Sequence, residues 1–459
     1  MIRIFRHHIP ITILSLLIIE SLVILASVHL SMAIFGQPVS DHTANIGAIL
    51  LTVVLLLGMT SMGLYQRNNR DKFEATIVRM GASFFISSII VAAGAYLVPN
   101  VSLGLPTFYA AFVTAFLGVL VARFTFCSFA DQSKLKRRIL VLGAGEKARA
   151  ISQLRRRSDT RGFMIIGYLP MPGDKNPMND SKVIKNDVAL VDLTKQFNID
   201  EIVVAVDDRR KSLPVHEILQ CKMNGVDVID LLTFFERETG RVCHDMLQPS
   251  WMIFSDGFLK GNFRAMVKRS FDIMVSLGML SIVWPFMLLT ALAIKLESRF
   301  HGPVFYFQQR SGECGRVFNV MKFRSMHTDA EKDGIARWAK KNDARITKVG
   351  SFIRKTRLDE LPQIFNVLRG DMSFVGPRPE RPEFVEKLQE KIPYYVERHR
   401  VKPGITGWAQ IRYPYGASEQ DSSAKLEYDL YYVKNYSIFL DMLILLQTAE
   451  VVLWGKGAR

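Results

Sequence analysis

The residues best suited to chemistry lie towards the C-terminal end of the chain. Asp359 and Glu360 stand side by side within Arg354-Lys355-Thr356-Arg357-Leu358-Asp359-Glu360-Leu361-Pro362-Gln363. Leu358, Leu361, Phe365 and Leu368 fall on one helical face. A helix tolerates Pro362 only in its first turn, or at a kink. The two carboxylates therefore belong at or next to a helix N-terminus. The dipole there would keep Asp359 ionised and attract a phosphate. A plainer reading is an N-cap aspartate followed by a first-turn glutamate.

Cations surround this segment in sequence. Pro303–Arg310 and Arg316–Arg324 read as two strands joined by the turn Gly312-Glu313-Cys314-Gly315. Lys322 and Arg324 are two apart in the second strand and share a face. Such a pair suits a diphosphate, or lies on a solvated edge. Val375-Gly376-Pro377-Arg378-Pro379-Glu380-Arg381-Pro382 is a proline-stiffened loop that presents Arg378 and Arg381 at low entropic cost. The planar arginine fork matches phosphate oxygens. Lys402-Pro403-Gly404-Ile405-Thr406-Gly407-Trp408-Ala409-Gln410 forms a second ordered loop. Simple turn chemistry is the alternative for each loop.

The elements that must position these groups are partly membranous. Four apolar stretches, roughly Ile9–Phe35, Ile46–Tyr65, Ile77–Leu97 and Leu105–Val121, occupy the first quarter of the 459 residues. About 20 apolar residues cross a ~30 Å hydrocarbon layer as a helix. The first stretch is too long for a signal-peptide core. Arg3 and Arg6 precede it; Arg67, Arg70 and Lys72 follow the second; Arg123, Lys134, Lys136, Arg137 and Arg138 follow the fourth. The other two loops, Gly36–Asn45 and Pro99–Gly104, carry no Lys or Arg. The alternation puts the N-terminus and everything after Arg123 inside. The chain is 49% hydrophobic, 22% charged and carries a net charge of +16. That charge admits nucleic acid, an anionic membrane surface or phosphorylated substrates, and the apolar segments favour the last two. The four cysteines, Cys127, Cys221, Cys243 and Cys314, have neither zinc-site nor disulfide-framework spacing and suit a reducing cytoplasm.

Between membrane and site lies an α/β pattern at about 135–245. The strand Ile139–Leu142 runs into Gly143-Ala144-Gly145-Glu146-Lys147-Ala148, a G-x-G-x-x-A turn leading into a helical run to Arg157. Further strands read at Met164–Tyr168, Glu201–Val206 and Val226–Leu231. Gly143 and Gly145 mark a candidate nucleotide turn. The acid expected about 20 residues on is missing, the nearest being Asp174 beyond two prolines, so tight strand–helix packing is the other reading. Val267–Leu296 is a fifth apolar helix with cations at both ends. Pro285 deletes a donor and clashes with the Ser281 carbonyl, so the helix should kink or break there and return to the same side. Tyr428–Trp454, ending near Lys456 and Arg459, reads as an amphipathic helix for the headgroup layer or for the domain core.

Residues from about 266 to 459 resemble the bacterial sugar transferases, polyprenyl-phosphate sugar-1-phosphate transferases with a single catalytic membrane helix. The resemblance rests on Lys322-Phe323-Arg324-Ser325-Met326, Leu358-Asp359-Glu360-Leu361-Pro362-Gln363, Gly370-Asp371-Met372-Ser373, Val375-Gly376-Pro377-Arg378-Pro379 and Pro403-Gly404-Ile405-Thr406-Gly407, in order and spacing. The N-terminal regions look like those of the large members, which initiate exopolysaccharide or capsule synthesis. The resemblance implies a multi-domain membrane protein: four transmembrane helices at 1–125, a Rossmann-like α/β domain at 135–245, and an α/β catalytic domain at 262–459 with a re-entrant helix at 267–296. Family members usually carry Ser-Pro at the break, where this chain has Trp284-Pro285. It implies Asp359 and Glu360 as catalytic pair and magnesium ligands. Lys322, Arg324, Arg354, Arg378 and Arg381 would then hold phosphate. The expected reaction moves a hexose-1-phosphate from a UDP-sugar to undecaprenyl phosphate, releasing UMP through a phosphosugar carried on Asp359. It would occur at the cytoplasmic face of a bacterial inner membrane. Nucleic acid is not an expected partner; the sugar is open, with glucose and galactose first, and a homodimer through the membrane or middle domain stays open. Two other readings are a membrane-anchored NAD-dependent sugar oxidoreductase and a non-catalytic assembly scaffold. The missing acid and the lack of Tyr-x-x-x-Lys weigh against the first, and the intact Asp359-Glu360 pair against the second.

Overall fold

The computed structural model describes residues 2–4, 7–9, 11–35, 42–65, 73–97, 104–129, 136–154, 162–176, 178, 182–184, 188–208, 213–258, 261–328, 345–413, 416 and 418–453. The charged loop at 66–72, Lys134, Arg157, Lys456 and Arg459 lie outside them. The chain divides into two compact units, Met1–Gly240 and Arg241–Arg459.

After a short antiparallel pair, β1 (Ile2–Ile4) and β2 (His7–Ile9), the apolar stretches form α1 (Ile11–Ile34), α2 (His42–Ser61), α3 (Phe73–Leu97) and α4 (Leu105–Phe129). Each contains a window long and apolar enough to cross a membrane. Every fourth residue turns inward: Ile24, Val28 and Met32 of α1, Leu51, Leu55 and Met59 of α2, Ala111, Ala115 and Val119 of α4. That spacing is one face of a 3.6-residue period, and the outward side is apolar as well, as lipid requires. Glu20 is fully buried. Arg123 pairs with it at 2.7 Å, donates to the Leu64 carbonyl at 3.2 Å, and Tyr65 donates to the same carboxylate. A buried ion pair persists because every member has a partner.

The α/β part of the first unit is a four-stranded parallel sheet. Its strands are β3 (Arg137–Leu142), β4 (Phe163–Leu169), β5 (Glu201–Val204) and β6 (Asp227–Asp230), in spatial order β4-β3-β5-β6. Helices α5 (Glu146–Ser152), α6 (Leu190–Gln196), α7 (Val215–Met223) and α8 (Leu231–Thr239) alternate with them. The near-continuous apolar run of β3 and β5 follows from burial on both faces: Ile139, Leu140, Val141, Ile202 and Val203 are all fully buried or nearly so.

In the second unit a short helix, α9 (Pro249–Phe254), precedes α10 (Asn262–Glu297). The hairpin is β7 (Phe305–Ser311) with β8 (Val317–Phe323), in the register Tyr306 opposite Lys322. Next come α11 (Lys348–Lys355), a 3-10 turn at Leu358–Glu360, α12 (Gln363–Arg369), β9 (Ser373–Val375), α13 (Pro382–Lys391) and β10 (Gly404–Thr406). The unit ends in α14 (Trp408–Arg412), α15 (Glu419–Asn435) and α16 (Ile438–Leu453). Two expectations change here. The stretch from Tyr428 to Leu453 is two helices, and its tyrosine half is core: Tyr428, Tyr431 and Tyr432 are buried, Tyr431 stacking on Trp408. α10 is continuous through Pro285, so the helix does not break there. Proline costs that helix one hydrogen bond, while the turns on each side are tied separately to the same unit.

Those ties run the length of α10. Near its start Lys268 pairs with Asp441 at 2.7 Å, and Asp272 accepts from the Ser373 hydroxyl and the Phe374 N–H, both at 3.0 Å. Arg269 donates to the Val367 and Leu368 carbonyls at the end of α12. Towards the other end Met287 and Ile294 pack with Phe323 and Ile353, and Glu297 accepts from the Val349 N–H at 3.1 Å.

Candidate active site

The approach of β9 to β10 explains the glycine-rich motifs. The two strands pair in parallel, Ser373 with Gly404 and Val375 with Thr406. A Cβ on Gly376 would lie 2.3 Å from the Lys402 oxygen, and one on Gly404 would lie 2.1 Å from the Gly376 nitrogen. Only glycine permits this contact. Gly404 N–H then donates to the Pro377 carbonyl at 2.9 Å and Gly376 N–H to Thr406 at 2.9 Å. The second loop thus carries the first. Arg378 leaves the joined loops with one guanidinium nitrogen 3.1 Å from the Gln410 amide oxygen. The buried Arg398, paired with Asp429 at 2.8 Å, donates to the Arg378 carbonyl at 3.0 Å.

Arg378 reaches Glu360 Oε1 at 2.9 Å; Lys322 Nζ lies 3.4 Å from the same oxygen, and Arg357 Nη1 3.9 Å. Three cations from three elements therefore converge on one carboxylate. Arg357 has φ +62°, a left-handed turn uncommon for a side chain of this size, and it swings the chain from α11 directly into the 3-10 turn. Burial opposes ionisation of Glu360, but Arg378 and Lys322 outweigh it and hold the carboxyl far below the usual range. Burial lowers the Lys322 ammonium, opposed by Glu360.

Asp359 differs. Its Oδ1 is buried and has no hydrogen-bond partner among the described residues. Burial, then the charge of Glu360, push its carboxyl up to about 6, against Lys322, Arg354 and Arg357. The helix dipole expected from sequence does not govern Asp359: burial dominates and shifts the carboxyl upward, and α12 is only 7 residues long, although a carboxyl at about 6 is still largely ionised at neutral pH. Asp359 is not an N-cap either, since Pro362 occupies that position with no side-chain cap. A bare buried carboxylate oxygen costs free energy until something binds it. Among the described residues no three His, Cys, Asp or Glu side chains cluster to hold a metal. A magnesium ion commonly takes one or two carboxylates, completing its shell with water and substrate phosphate, so the Asp359–Glu360 donor set fits an ion held jointly with substrate.

The other expected phosphate ligands divide. Arg354 is close enough to lower Asp359. Arg324 lies beyond the end of β8 with its guanidinium against Gly302, so it does not extend the Lys322 face. Arg381 is the N-cap of α13, and its charge bears on Arg310. Arg310 was not anticipated. Burial, with Arg378 and Arg381 nearby, lowers its guanidinium to about 10, and it donates to the Pro379 carbonyl at 3.3 Å. Strand alternation carries the signal: Arg310 is four residues beyond Tyr306, whose cross-strand partner is Lys322.

Gly143 and Gly145 sit at a different kind of site. Gly143 has φ +111°, and a Cβ there would lie 2.7 Å from the Ala205 oxygen. The carboxylate of Asp207, just beyond β5, accepts from the N–H groups of Glu146, Lys147 and Lys175 at 2.9–3.0 Å. Asp174 accepts from Ala144 at 2.7 Å and Met171 at 2.8 Å. The donors that a nucleotide phosphate would use in such a turn are already taken by the chain's own carboxylates.

Comparison with known proteins accords with this geometry. A family model described as bacterial sugar transferase matches residues 263–455. A Klebsiella pneumoniae protein named UDP-glucose:undecaprenyl-phosphate glucose-1-phosphate transferase is 30% identical over 440 residues, 92% of each chain. The chain belongs to the bacterial sugar transferase family. Among other family relatives, a UDP-N-acetylgalactosamine-undecaprenyl-phosphate N-acetylgalactosaminephosphotransferase of Aeromonas hydrophila is 43% identical over 242 residues, 53% of this chain. An undecaprenyl-phosphate glucose phosphotransferase of Komagataeibacter xylinus is 34% identical over 336 residues, 71% of this chain. The chain spans 56% and 60% of the length of these last two relatives.

Proposed function

We propose that the protein transfers a hexose-1-phosphate from a UDP-sugar to undecaprenyl phosphate at the cytoplasmic face of a bacterial inner membrane, the first step of exopolysaccharide or capsule repeat-unit synthesis. The observation that carries the proposal is the buried Asp359 Oδ1, without a hydrogen-bond partner among the described residues, next to Glu360, on which Lys322, Arg357 and Arg378 converge.

Asp359 Oδ1 attacks the sugar-bearing phosphorus. The P–O bond to UMP breaks and its electron pair leaves on UMP. The phosphosugar is held as an acyl phosphate on Asp359. An oxygen of undecaprenyl phosphate then attacks the same phosphorus, the bond to Oδ1 breaks, and the carboxylate is regenerated. No proton need be gained or lost by the protein over the cycle. Glu360 arrays Lys322, Arg357 and Arg378, and these cations, with Arg310 and Arg354 nearby, receive diphosphate oxygens. Phosphoryl transfer requires mainly such positioning and charge stabilisation. Asp359, with Glu360, would hold a magnesium ion, which would supply charge neutralisation on the diphosphate and leaving group.

α10 sets the depth of the reaction. Its ties to one unit at both ends, with Pro285 between them as the place to bend, support a helix that enters and leaves the membrane on one side. Its outward face is apolar, as contact with lipid requires. The site then meets a lipid phosphate at the headgroup plane.

The test is UMP release by full-length protein in detergent, with Mg²⁺ and undecaprenyl phosphate, across a panel of UDP-sugars. Release with one donor, sustained only with the lipid acceptor, is expected and identifies the sugar. Folded protein that releases no UMP from any donor would sink the proposal.

A further inference from the structure

The segment just before α10 exposes more apolar surface than a water-facing surface explains. On α9, Ile253 is 74% exposed and Phe254 86%. Near the start of α10, Phe263 is 72% exposed and Met266 61%. Isolated exposed apolar side chains are ordinary, but a run of large ones marks a contact surface.

The orientation of α9 is set from beneath. Trp251 and Met252 pack against the core of the second unit. The Lys434 ammonium lies 3.9 Å from the centroid of the Trp251 ring. Phe258 N–H donates to the Lys434 carbonyl at 3.2 Å. Gly257 has φ +128°, and a Cβ there would lie 2.8 Å from that carbonyl oxygen. With one side held down in this way, Ile253 and Phe254 are left projecting outward.

We propose that α9 is a second lipid-contacting element, lying in the boundary between headgroups and acyl chains beside the start of α10. Continuity identifies the occupant. The outward stripe that begins at Phe263 and Met266 continues along α10 through Met274 and Leu277 to Trp284 and Leu288, all exposed. Arg264, also exposed, stands between Phe263 and Met266, a cation among apolar groups as expected at headgroup level. α9 is one and a half turns long, enough to seat two side chains in a lipid boundary and too short to build a protein interface alone. The proposal rests on the reading of α10 as membrane-embedded.

The test uses full-length protein in lipid nanodiscs, on a Cys314→Ser background because Cys314 is exposed. Phe254→Cys is labelled with the environment-sensitive dye NBD; Phe286→Cys on α10 serves as the control, and the parent without an added cysteine gives the background. Blue-shifted emission at 254, quenched more by lipids carrying doxyl near the headgroup than at the tail end, is the expected result. Water-like, unquenched emission at 254 overturns the proposal. Blue-shifted emission that no lipid quenches also overturns it, because protein then covers the patch. The control separates the two readings: an unquenched probe at 286 removes lipid from α10, whereas a quenched 286 beside a water-like 254 removes it from α9 alone.

Discussion

Asp359 and Glu360 are adjacent carboxylates with opposite environments, and this difference is the basis of their roles. Three cations meet Glu360 at its Oε1; Asp359 presents a buried oxygen with nothing bound to it among the described residues. Asp359→Asn should reduce UMP release by at least about a thousandfold, the scale expected when a covalent nucleophile is removed, with thermal unfolding little changed. Near-normal turnover would reassign the nucleophile. The Asp359 carboxyl, pushed up to about 6, must be ionised to attack, so kcat/KM, which reports the free enzyme, should climb as pH rises through about 6 and level off above it. A flat profile from pH 5 to 8 would be incompatible with that role. The stability sign runs the other way. A carboxyl whose folded pKa is raised favours the folded state while protonated, below its unfolded value near 3.8, and that contribution is lost as pH rises through about 6.

At the scale of elements, the fastening of one loop to another matters more than either loop's own turn chemistry. Gly376→Ala places a methyl group 2.3 Å from the Lys402 oxygen. It should cost about 1–3 kcal/mol by overpacking and lower activity beyond what the stability loss explains, since Arg378 moves with the loop; calorimetry alongside kinetics separates the two. The G-x-G-x-x-A turn was legible from sequence as a strand-to-helix turn, but not its occupancy. Asp207 lies 60 residues after Lys147 and reaches it only through the sheet order that sets β5 beside β3. NAD should therefore produce no shift in melting temperature of the wild-type protein. A saturable shift would restore a nucleotide role and with it the oxidoreductase reading.

For the molecule as a whole, the decisive element is α10 and the polar groups on its inward side. Lys268 and Asp441 are buried together, and Asp441 also accepts from the Tyr432 hydroxyl at 2.7 Å. Asp441→Ala leaves the Lys268 charge buried and short of its closest partner. It should destabilise the protein by about 3–5 kcal/mol, read as a lowered melting temperature in detergent. A change within experimental error would show that α10 is held by its apolar contacts alone.

Local order made several features readable from sequence alone. The apolar stretches, the strand-turn-helix at Gly143 and the carboxylate pair beside a proline-started helix each depend on residues within a few turns of one another, where periodicity and backbone sterics act. The family motifs were likewise legible in their order along the chain. What only the tertiary structure decided are relations between distant residues. Lys322 and Arg324 share a strand pattern, yet only Lys322 meets Glu360, because the strand ends at Phe323. Arg310 joins the site through hairpin register, and the tyrosines of α15 become core because α14 and α16 pack over them. The ionisation of Asp359 is of the same kind. A dipole argument from sequence favours the charged form, while burial and the neighbouring Glu360 oppose it, and burial exists only once the chain has folded around the carboxylate.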